Sequence, residues 1–65
     1  MNIEHTLRQH IGLITVAELA QLLNSHRQTL YVACREGRIP YLRVGSRVRF
    51  DGNAIAEWLT LRTVA

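Results

Sequence analysis

The chain has 65 residues, 48% of them hydrophobic, with eight cations, five acids and a formal net charge of +3, which allows one small domain and excludes a disordered chain. No apolar run approaches the roughly 20 residues that a membrane-spanning helix needs, and the N-terminus MNIEHTLRQH lacks the pattern of a secretory signal, so a cytoplasmic protein without a membrane role is expected. The single cysteine, Cys34, excludes an internal disulfide framework and provides no metal-ligand spacing.

Residues 1–13 form an N-terminal segment in which Ile3, Leu7 and Ile11 recur every four residues. That spacing gives one apolar edge of a short helix ending at Gly12, with docking and fraying both open. His5 and His10 are five apart and fall on different sides of such a helix, which speaks against a shared metal ion.

Residues 14–23 carry a strong helix start. Thr15 and Glu18 have the T-x-x-E spacing of a capping box, and Ile14 with Leu19 has that of a hydrophobic staple. Val16, Leu19, Ala20 and Leu23 lie on one face at i, i+3, i+4 and i+7. Asn24 and Ser25 end the element after about two turns. A helix so short is unstable alone in water and must pack on its neighbour.

The second helix runs from about Arg27 to Glu36, with Gly37 as its left-handed cap and Pro40 soon after to prevent continuation. Its core stripe is the narrow set Leu30, Ala33 and Cys34. Gln28, Tyr31, Val32 and Arg35 lie outward, with Arg27 and Thr29 at the margins. Read locally, Ser25 caps this helix with Gln28 as S-x-x-Q, which ties Gln28 to the backbone. Two short helices with a tight turn, the second displaying donors, make a helix-turn-helix layout.

From residue 41 to 50 the period changes to two, which predicts a β-hairpin. A two-residue turn at Gly45-Ser46 sets Val44 opposite Arg47 and mixes the faces. A three-residue loop through Arg47 pairs Val44 with Val48 and Leu42 with Phe50, leaving Arg43 beside Arg49 on an exposed face. The three-residue loop is expected, and its adjacent arginines would need an anion between them. Asp51 then caps a third helix, with Phe50 and Ile55 as a second staple and Ile55, Trp58 and Leu59 on the helical period. The tail from residue 62 to 65 is expected to be loose.

Every cation is an arginine, and six of the eight lie in residues 25–50 with Glu36 as the one acid there. The local charge is +5, against −2 for the rest of the chain. Such a field suits a polyanion, and the planar guanidinium fork suits phosphate or guanine. No clustered carboxylates, Ser/His/Asp or Cys/His arrangement, or phosphate-cradling glycine loop is present, so neither enzymatic chemistry nor a cofactor is expected.

The order ITVAELAQLL, HRQTLYVACREGRIP, LRVGSRVRF and AIAEWL resembles the excisionase-type, MerR-like helix-turn-helix domains, small winged DNA-binding proteins. The likeness covers about residues 13–60, and its most specific parts are the E-G-R-I-P link and the R-V-G-x-R-V-R-F hairpin. It implies a mainly α fold with a small antiparallel β-hairpin: a winged helix-turn-helix of three helices plus wing over residues 14–61. By the same likeness Arg27, Gln28, Thr29, Tyr31 and Arg35 face double-stranded DNA from the second helix, and Arg43, Arg47 and Arg49 do so from the wing. Val32 departs from the basic residue common at its position. The implied role is an excisionase, or recombination directionality factor, of a mobile element, acting with an integrase or another protein or self-associating on repeated sites. A small transcriptional regulator would use the same surface. A protein-interaction adaptor using Val32, Tyr31 and Tyr41 is the reading from another class.

Overall fold

Seven elements are laid down in the computed structural model, which describes residues 2–62. They are α1 (Ile3–Gln9), β1 (Ile14–Thr15), α2 (Val16–Leu22), α3 (Arg27–Arg35), β2 (Leu42–Val44), β3 (Arg47–Phe50) and α4 (Gly52–Arg62). The three strands form one antiparallel sheet in the order β1-β3-β2, with Ile14 opposite Phe50. This is the mainly helical, winged helix-turn-helix architecture, with one strand more than the sequence pattern showed and α1, the short helix whose apolar edge the spacing marked, added to the three helices of the winged core.

The added helix is short and well specified. The Asn2 side chain caps α1 by accepting from the His5 backbone N–H at 3.1 Å. The helix ends at Gln9 rather than Gly12, so Ile11 falls outside it and is 95% exposed, while Leu7 is fully buried. α1 packs on α4, and the contact turns on Gly52. A methyl group there would overlap the Leu7 backbone carbonyl. Arg8 Nη1 also donates to Asn53 Oδ1 at 3.4 Å.

α2 begins as its sequence requires. The Glu18 N–H donates to Thr15 Oγ1, and the Thr15 N–H to Glu18 Oε1, both at 3.0 Å. Ile14 and Leu19, the two halves of the staple, are fully buried. At the other end Asn24 takes a left-handed φ of 52°. The Ser25 N–H then reaches Ala20 O at 2.8 Å and the Asn24 N–H reaches Gln21 O at 3.2 Å. That pair of bonds is a Schellman closure, and it commits the Ser25 backbone to ending α2.

The S-x-x-Q cap is therefore not formed. His26 is the N-cap of α3, without a side-chain hydrogen bond. The far end behaves as its glycine predicts: Gly37 has φ 70°, and the Arg38 N–H bonds Ala33 O at 2.9 Å. Leu30, Ala33 and Cys34 are the buried stripe of α3. Ile39, unassigned by pattern because it lies between elements, is also buried, at 3% exposure.

The hairpin takes the other register. Leu42 faces Arg49, Arg43 faces Val48 and Val44 faces Arg47, so the turn is the two-residue Gly45-Ser46. A three-residue loop wants a left-handed residue at its last position, which is Arg47. The glycine stands at the first position instead, with φ 64°, and Asn24 is the one non-glycine with positive φ among the described residues. A glycine at the first of two central positions is the type II′ arrangement.

α4 starts where Asp51 Oδ2 accepts from the Ala54 N–H at 3.1 Å. Phe50 and Ile55 are fully buried, and the Trp58 indole N–H donates to Arg38 O at 2.8 Å. Arg62 still belongs to this helix, and the rest of the expected tail lies outside the described residues. The core joins Leu7, Ile14, Leu19, Leu30, Phe50 and Ile55, so every helix and the sheet contribute to it.

Candidate nucleic-acid interface

α3 turns its buried stripe toward α2 and leaves Arg27, Gln28, Thr29, Tyr31 and Arg35 exposed, while Val32 is half-buried. The Gln28 side chain makes no hydrogen bond with any described residue, because the cap that would have engaged it does not form. With no side-chain cap at His26, the first-turn N–H groups of α3 are also open to an acceptor.

The register of the hairpin decides what its arginines do. Directly opposed residues share a face of the sheet. Arg43 thus lies with Val48 and Phe50 on the face turned to the core, and Arg47 and Arg49 lie with Leu42 and Val44 on the outer face. The expected pair of adjacent arginines, Arg43 beside Arg49, does not exist, and the anion it would have required is not implied. What forms instead is a groove between α3 and the wing, lined by Tyr31, Cys34, Arg35, Tyr41, Arg43 and Val48. Two guanidinium-bearing residues and two tyrosines, from separate pieces of backbone, line one channel.

The arginines also differ in whether they are already engaged. Arg38 is bound to Glu36, with Nη2 2.6 Å and Nε 2.7 Å from Glu36 Oε1. Arg49 is half-buried and its Nη1 donates to Val48 O at 2.8 Å. The side chains of Arg27, Arg35, Arg43 and Arg47 make no ion pair or hydrogen bond with a described residue. Glu36, the one acid in the basic stretch, is thus occupied by Arg38 and leaves α3's arginines available. Cys34 lines the groove but is a core residue, and burial raises its thiol pKa, which disfavours the reactive thiolate. No group of three or more His, Cys, Asp or Glu among the described residues is placed to hold a metal ion.

Residues 13–62 match the helix-turn-helix domain family, a span from just before β1 to the end of α4. The chain belongs to the helix-turn-helix domain family. No curated protein and no solved structure matches it significantly. As a helix-turn-helix DNA-binding protein it carries α2 and α3 as the paired helices, and no helix among its described residues is long and apolar enough to cross a membrane.

One residue of this helix-turn-helix surface was legible only as something else. Tyr41 opens the alternating segment but was assigned to neither of its faces, and it entered only the adaptor reading. The fold sets it in the groove that Arg35 and Arg43 also line. A signal was available, since Gly45 at the first loop position already favoured the two-residue turn that moves Arg43 inward.

Proposed function

We propose that this protein binds double-stranded DNA sequence-specifically. α3 would enter the major groove, and the channel between α3 and the wing would straddle the sugar-phosphate backbone. The observation that carries this reading is the groove that unengaged Arg35 and Arg43 line together with Tyr31 and Tyr41. Arg27, Gln28, Thr29, Tyr31 and Arg35 read base edges or position the helix, and Arg43, Arg47 and Arg49 hold phosphates. Within that function the role is that of an excisionase, which shapes the DNA of a mobile element for an integrase. The support for it is the E-G-R-I-P link and the hairpin motif. A regulator on the same fold would use the same contacts, and bending of a bound site, read by energy transfer between end-labelled fluorophores, favours the excisionase.

Retention on a DNA column tests the reading. With roughly four to six phosphate contacts, log K should fall by about 3.5–5.5 per decade of salt. Arg47→Ala should weaken binding to all sequences evenly, whereas Arg35→Ala should also blur the preference between sites selected from a random pool. Retention without a salt slope would rule out the DNA interface.

A further inference from the structure

α4 is apolar on two sides. Toward α1 it buries Ile55 and Ala56. On the other side Ala54, Trp58 and Leu61 recur at i, i+4 and i+7 and line a shallow groove with Pro40 and Glu57. That groove continues past Pro40 and Ala54 to Tyr41, Leu42 and Asp51. Leu61 is 79% exposed and Leu42 45%. A helix apolar on both sides is ordinarily covered on both; here Trp58 is half-buried against the core with Arg62 over its ring, while Leu61 lies uncovered by any described residue.

The chemistry of the rim says what would. Asp51 and Glu57 border the grooves, whereas Arg35 and Arg43 border the channel between α3 and the wing. Glu57 makes no ion pair with a described residue, unlike Glu18 and Glu36. The Trp58 ring already holds a cation, with the Arg62 guanidinium carbon 4.8 Å from its centroid.

We propose that this face docks a short amphipathic helix of a partner protein, with an apolar stripe flanked by arginine or lysine. The stripe from Ala54 to Leu61 is about 10 Å long, two turns of a helix laid alongside. Charge favours such a partner over a second copy placed symmetrically, which would bring two acidic rims together. A handful of residues falls well short of the roughly 800 Å² per partner of a stable interface. The contact is therefore weak alone and acts where the partner is already held nearby.

The test uses the full chain, without DNA, and a displayed library of helical peptides of about 18 residues, or five turns. All share one apolar stripe, lack tryptophan, and carry basic, acidic or uncharged flanks. Basic-flanked peptides should be enriched, and the best should change the emission of Trp58, the only tryptophan in the chain. Glu57→Lys and Leu61→Glu should each weaken that peptide by about tenfold or more, with Tm and DNA retention unchanged. Enrichment indifferent to flank charge would overturn the proposal, as would an affinity indifferent to both substitutions. So would Trp58 emission that changes with protein concentration alone and is reset by Leu61→Glu, which would seat a second copy there. Because DNA retention is measured separately, failure here leaves the DNA reading standing, and the reverse.

Discussion

Gly52 governs how α1 is attached. The obstacle to a side chain at this position is the backbone carbonyl of Leu7, which cannot rotate away as a flexible side chain would. Gly52→Ala should therefore destabilise the fold by about 1–3 kcal/mol, although alanine is the better helix former. In a domain of this size each 1 kcal/mol lowers Tm by about 4–8 °C, which a thermal melt resolves. An unchanged Tm would mean that α1 does not dock. Among the arginines, prior engagement sets the order of effect. Arg43→Ala should cost more DNA affinity than Arg49→Ala, because Arg49 is already held by the Val48 carbonyl and Arg43 lines the groove unpaired. Binding titrations at one salt concentration check this, and equal losses would remove the distinction between the two faces of the wing.

At the scale of elements, the helix ends are set by local hydrogen bonds, and one of them titrates. The Thr15 backbone N–H, then the Thr15 side chain, hold the Glu18 carboxyl below its ordinary pKa, with a smaller effect from His10 at 3.6 Å. A carboxylate depressed in the folded state contributes stability that is present above its unfolded value. That contribution is lost as pH falls from roughly 4.3 through the lower folded value. Glu18→Gln keeps the reciprocal cap but cannot ionise, so its Tm should change less over that acid window than that of the unsubstituted chain. Parallel curves would show that Glu18 does not carry the acid response. The cap, both staples and the buried stripes of α2 and α3 were legible because each needs only neighbours within one or two turns. β1 was not, since two residues have no period. The choice at Ser25 went the other way for a related reason: closing α2 and capping α3 compete for one stretch of backbone, and the Schellman closure at Asn24 took it.

On the scale of the whole molecule, two kinds of groove lie apart. The basic channel lies between α3 and the wing, and the acidic-rimmed apolar grooves lie along α4, with Tyr41 the one residue lining both sets. The wing is a thin ribbon whose two faces carry different chemistry. The amino-acid sequence alone determined the helix-turn-helix pair, the hairpin, the caps at Thr15 and Asp51 and the concentration of arginine in residues 25–50, all of them properties of short-range spacing and composition. Tertiary structure decided which arginines share a groove. It placed Arg43 in one channel with Arg35 rather than beside Arg49, fixed α1 against Gly52, and left Leu61 of α4 exposed. Such outcomes depend on strand register and on backbone approach between segments distant in the chain. A one-residue slip in register reverses every side chain while leaving the alternation itself unchanged.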